Sequence, residues 1–261
     1  MDHYTNLAAQ YDEYYRYSDD YINYFTNKIV ENLPIKNCET IVELGSGTGI
    51  FAKEILKRTS SVQMICVDNS ALMLNKTKDE RIKQICQDAI EFSGESIVYD
   101  RIYMKEFIHH IHNEGRLILF KGIYSQLKND GSILILLEPR RLNYPLFDEA
   151  LRRFENRQPS RLEIINDLES AGFSTSFSVI SYPINLEKQK YTEMVRNRYM
   201  SVLESFTDDE LENGITSIND SHKNDALEYL EIFYSIRGVK LITGKHNTHD
   251  VNDNKNRRDL L

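Results

Sequence analysis

Tryptophan is absent from this 261-residue chain, cysteine occurs three times, proline five times, and no apolar run is long. A membrane-spanning helix needs about 18–20 consecutive apolar residues, so no membrane partner is expected. Cys38, Cys66 and Cys86 show no metal-ligand spacing and read as reduced thiols of a cytoplasmic protein. Positive charge is also short. Lys and Arg total 32 against 40 Asp and Glu, a net charge of −8, so no overall basic field draws in nucleic acid or anionic lipid. The opening residues, MDHYTNLAAQYDEYY, have no signal-peptide pattern.

What is present suits a globular protein: 41% hydrophobic and 28% charged residues, with 16 tyrosines crowded towards the start. The length predicts one domain with an elaboration. The organising stretch is TIVELGSGTGIFAK, Thr40 to Lys53. It reads as a short buried strand, a glycine turn and a helix start. Glycines there let a ligand approach the main chain, and the helix start adds unpaired N–H groups. A dinucleotide fingerprint would space its glycines G-x-G-x-x-G, whereas this turn reads G-x-G-x-G. Asp68 ends a second apolar run, Val62 to Val67, about 20 residues on, where a carboxylate can accept both hydroxyls of a ribose.

The spelling E-L-G-S-G-T-G resembles motif I of the class I S-adenosylmethionine-dependent methyltransferases, and D-N-S-A-L-M-L after the second strand is a further match. Tyr99–Asp100 with Ile102 and Tyr103 resembles the family's fourth strand, and EFIHHI its following segment. The resemblance covers residues 4–140 closely and the remainder loosely. It implies a Rossmann-like, doubly wound α/β fold: a seven-stranded sheet with its last strand antiparallel, plus a helical lid. It also implies S-adenosylmethionine as cofactor. By resemblance, Tyr15 lies against the cofactor, with Glu43, Gly45, Ser46, Gly47 and Gly49 at its methionyl end. Asp68 holds the ribose, Asn69 and Met73 line the adenine, Asp88 and Ala89 meet its amino group, and Lys105 and Glu106 close the site.

Further expectations come from the residues themselves. His109, at a strand's carboxyl end, reads as a general base with an ordinary pKa near 6.5; a structural role in the turn is the alternative. Three histidines in four residues lack a Cys or carboxylate pattern, so no metal is expected. Tyr11, His110, Glu138 and Arg141 are candidates for substrate contact, although Arg141 reads equally well as solvated. Predicted elements include helices Asn6–Tyr17 and Asp19–Asn32 and strands 81–87 and 132–137. A helix over 116–127 is followed by a turn at 128–131. Another helix spans 161–171, and strands 173–182 and 233–242 close the sheet. The predicted organisation is an aromatic helical cap (1–36), a cofactor-binding core (37–186 and 230–245), a helical lid (187–229) and a disordered tail (246–261).

The function implied is methyl transfer to a small-molecule acceptor, possible classes including a secondary metabolite. The tetrapeptide typical of amino-methylating nucleic-acid enzymes is absent after the fourth strand, where EFIHH stands. Three alternatives are an RNA or tRNA methyltransferase, an enzyme performing other chemistry on S-adenosylmethionine, and a non-catalytic binding module.

Overall fold

The computed structural model describes residues 17–59 and 61–241. Tyr11, Tyr15, the first predicted helix up to residue 16 and the predicted tail lie outside the described residues.

Seven strands form one sheet: β1 (Thr40–Leu44), β2 (Gln63–Asp68), β3 (Ile82–Cys86), β4 (Tyr99–Lys105), β5 (Leu127–Leu137), β6 (Ser174–Glu187) and β7 (Ala226–Val239). Their order is β3-β2-β1-β4-β5-β7-β6. The first five run parallel, and β7 is antiparallel to both neighbours. This is the architecture the resemblance implied. Ile133, Leu134, Ile135, Leu136 and Leu137 of β5 are all buried, because a central parallel strand is covered on both faces.

Helices cover both sides. On one face α1 (Asp19–Asn32) and α2 (Ile50–Arg58) pack over Ile41, Met64 and Leu134. On the other, α4 (Ala89–Ser93), α5 (Asn113–Gln126) and α7 (Arg161–Ser170) enclose Val42, Ile65, Ile102 and Ile135. The remaining helices are α3 (Ala71–Leu74), α6 (Asp148–Arg157), α8 (Lys188–Arg196) and α9 (Asp208–Ser221). Ser18 caps α1, its side chain accepting from the Tyr21 N–H. Phe25 of α1 sits edge-on to Phe233 of β7, with centroids 5.2 Å apart.

Some elements differ from expectation. The predicted turn at 128–131 lies inside β5, where the pairing with β4 shifts register and Asp130 takes φ +63°. Strand β6 continues past Pro183, which an edge strand tolerates because its N–H side needs no partner. Strand β7 starts at Ala226, so the helical insertion spans 188–225 and its last expected residues belong to the sheet. Helix α6 carries no expectation at all.

Within the insertion, Thr207 and Glu210 form a reciprocal capping box on α9. Thr207→Ala is expected to cost about 1 kcal/mol, measurable as a lowered denaturant midpoint with unchanged slope. An effect below a few tenths would show that the cap contributes nothing.

Beneath the sheet's amino end lies a buried ion pair. Arg101 Nη2 is 2.9 Å from Glu39 Oε1, and both residues are over nine-tenths buried. Glu39 Oε2 also accepts the Lys36 N–H, and Arg101 donates to the Asp130 carbonyl.

Candidate functional site

The site lies at the carboxyl ends of β1, β2 and β4, where ligands of open α/β sheets bind. Gly45, Gly47 and Gly49 all have positive φ, at 71°, 52° and 64°. At Gly45 the need for glycine is steric as well, since a Cβ would fall 2.1 Å from the Phe107 ring. The carboxylate of Asp68 ties the turn to β2. Its Oδ2 accepts the Gly47 N–H at 2.8 Å, and its Oδ1 accepts the Ser70 N–H at 2.9 Å.

Gly45 and Asp68 border a partly open cleft. Its walls combine apolar Leu44, Val67, Ala89 and Phe107 with polar Asp68, Asn69 and Asp88, and His110 stands at its edge. Asp88 also caps α4, accepting the Ile90 and Glu91 N–H groups. Met73 is buried beneath Ser70 and does not line the cleft. Glu43 points away from it. Its Oε2 accepts the Ala52 N–H at 3.2 Å, at the start of α2. Burial raises its pKa to about 8, with the charge of Asp68 adding to the effect.

A second, partly open cavity adjoins the same edge. It is lined by Tyr17, Glu106, His109, Glu138, Tyr144 and Glu231, and closed by Tyr199 and residues 200–202 of the insertion. The turn after β4 separates the two spaces. Glu106 takes φ +54° there, a strained conformation for a non-glycine residue, costing on the order of 1–3 kcal/mol. Consecutive side chains consequently face different cavities: Glu106 the second, Phe107 the first.

His109 and His110 divide in the same way, and His110 borders the first cleft rather than the second. Burial, helped by His110, lowers the pKa of His109 to about 3. The ring is therefore neutral near pH 7 and a weak proton acceptor. Lys105 pairs with Glu106 at 2.9 Å, and its ammonium lies 4.4 Å from the Phe233 ring centroid. Arg141 is remote from both cavities, exposed and paired with Glu155.

Glu231, Tyr144 and Tyr199 are not among the sequence-derived candidates. Glu231 sits in register with apolar neighbours. Leu227, Tyr229, Glu231 and Phe233 alternate along β7 and all point inward.

Strand order, glycine turn and acidic residue after β2 together define the class I S-adenosylmethionine-dependent methyltransferase fold. Residues 41–131 match the family described as "Methyltransferase domain". Over 122 residues the chain is 31% identical to carboxy-S-adenosyl-L-methionine synthase of Nautilia profundicola, covering 42% of this chain and 50% of that protein. Phosphoethanolamine N-methyltransferase 2 of Haemonchus contortus, solved with phosphomonomethylethanolamine and S-adenosylhomocysteine, superposes with TM-score 0.56 at 21% identity. That match covers 84% of this chain and 53% of the other. A methyltransferase from an antibiotic biosynthesis pathway of Anabaena variabilis, designated putative, gives TM-score 0.59 at 15% identity, covering 82% and 96%. The chain thus spans about half the length of the Nautilia and Haemonchus proteins. Among the described residues no helix is long and apolar enough to cross a membrane.

Proposed function

We propose that the chain binds S-adenosylmethionine in the first cleft and transfers its methyl group to a small molecule held in the second. One observation carries this reading: a glycine turn tied to an acidic strand end opens beside a second, carboxylate-lined cavity, with a single turn between them. The residues fit the cofactor. A carboxylate offers about four acceptor positions, so Asp68 can hold the turn and accept ribose hydroxyls together. The apolar walls suit a purine, and Asp88 and Asn69 supply polar contacts at its rim. When bound, the sulfonium supplies an electrophilic methyl carbon with a neutral thioether as leaving group. The protein's own task is then alignment and exclusion of water. Glu106 and Phe107 hold the partition between the two ligands, and the insertion acts as a lid over the acceptor. The carboxylates of the second cavity are better matched than His109 to accept a proton from the acceptor.

Calorimetric titration with S-adenosylmethionine and S-adenosylhomocysteine tests the reading, and absence of binding to both would overturn it. Asp68→Ala is expected to weaken binding by tenfold to a hundredfold, about 1.4–2.7 kcal/mol, while Asp68→Asn loses less. An unchanged affinity would remove Asp68 from the site.

A second reading is other chemistry on S-adenosylmethionine itself, favoured by the name of the Nautilia relative. Methyl-labelled cofactor separates the two: label reaching a small molecule supports methyl transfer. Cofactor consumption without methyl transfer supports the second reading, and label in RNA would refute the small-molecule acceptor.

A further inference from the structure

The second cavity is chemically unusual. Carboxylate oxygens of Glu106, Glu138 and Glu231 lie within 4.8 Å of one another. Glu106 already has a cation, Lys105, and that ammonium is enclosed by the rings of Tyr21, Phe25, Phe51 and Phe233. Glu138 Oε1 accepts only a neutral donor, the Tyr144 hydroxyl at 3.0 Å. Glu231 is 1% exposed, and among the described residues its Oε2 has no hydrogen-bond partner. His109 Nδ1, on the same wall, is likewise buried and unpartnered.

A buried acceptor left unsatisfied costs about 1–3 kcal/mol, and more when charged. Burial, with the charge of Glu106, raises the pKa of Glu231 to about 7 and raises that of Glu138 as well. Such a site favours taking up either protons or a cation. Tyr17, Tyr144 and Tyr199 supply ring faces, which attract cations. No lysine or arginine is among the described lining residues, and Lys105, whose charge reaches Glu138 and Glu231, is already paired with Glu106, so a phosphate or carboxylate on a ligand would face three carboxylates.

We propose that this cavity seats a small organic ammonium ion as the methyl acceptor, held by Glu138 and Glu231 against the tyrosine rings, with Glu231 taking its proton. The proposal rests on the function proposed above. The N–H bond breaks, its electron pair stays on nitrogen as the nucleophilic lone pair, and the carboxylate becomes a carboxylic acid. Three carboxylates can also suit a divalent metal. The ammonium already seated on Glu106 and the aromatic walls favour the organic cation.

The test titrates the full chain, with and without S-adenosylhomocysteine. The probes are choline and 2-phenylethylammonium, their uncharged counterparts 3,3-dimethylbutan-1-ol and 2-phenylethanol, and magnesium and manganese chlorides. Each organic cation is expected to bind at least tenfold more tightly than its neutral counterpart. Glu231→Gln is expected to remove that preference while leaving S-adenosylhomocysteine affinity unchanged, and Glu138→Gln is the second variant should the first fail to fold. Equal affinity within both pairs, no binding of either cation, or a preference unchanged in both folded variants would overturn the proposal. So would tight metal binding that the organic cations do not displace. Loss of S-adenosylhomocysteine binding with the cation preference intact would instead defeat the cofactor reading and spare the cavity's cation specificity.

Discussion

Glu39→Ala is expected to lower the free energy of unfolding by about 3–5 kcal/mol, the cost of leaving a buried charge without its partner. Arg101 and Glu39 are 4% and 8% exposed, so water cannot replace the lost carboxylate. The main-chain acceptors that Arg101 retains, the carbonyls of Asp130 and Pro34, hydrogen-bond to the guanidinium without neutralising it. Chemical denaturation of Glu39→Ala and of Glu39→Leu combined with Arg101→Met gives the check. The double variant is expected to recover most of the loss, because an apolar pair of similar volume removes both charges together. A loss under about 1 kcal/mol in Glu39→Ala would mean that the pair behaves as a surface ion pair.

Stability of the ligand-free protein is expected to fall as pH rises from about 5 to 8, and Glu43→Gln to flatten that fall. The folded chain keeps a proton on Glu43 until about pH 8, whereas a free carboxyl of this kind loses its proton near 4.5. In that window the native state binds more protons than the unfolded one, and each pH unit costs about 1.4 kcal/mol. The contribution is fully present below 4.5 and is lost by pH 8, roughly 4–5 kcal/mol in all. Glu231, raised to about 7, adds in the same direction, whereas His109, lowered to about 3, opposes it below its ordinary value near 6.5. Comparing wild type with Glu43→Gln isolates residue 43 from both. Burial is the main cause; Asp68 raises the value further, while Lys53 and the Ala52 N–H oppose it. Parallel thermal-midpoint profiles for the two proteins would show that Glu43 is ionised in the fold.

Much of the architecture was legible because its strands are buried on both faces. Runs such as Met64–Val67 and Ile133–Leu137 are continuous, and buried parallel strands look that way in sequence. Ser18 and Thr207 each stand directly before acidic residues and cap their helices by local chemistry. Helix α6 was hidden because only Ala150 and Phe154 of its ten residues are buried, leaving little periodicity to read. The first half of β7 was hidden because a glutamate occupies an inward position, breaking the apolar alternation. That glutamate helps to form the second cavity, so the break in local consistency and the functional candidate coincide. The glycine turn and Asp68 were legible from spacing alone. The sorting of Glu106, Phe107, His109 and His110 between two cavities was not, since it depends on a backbone conformation that sequence does not favour.

Strands β6 and β7 pair without interruption from Ser174↔Val239 to Glu187↔Ala226. The insertion therefore leaves and rejoins the sheet at two directly opposed residues. Its length and helices can vary between relatives without shifting a single rung of that ladder or disturbing the glycine turn. The segment that closes the second cavity can thus be exchanged while the strand ends around the glycine turn stay as they are.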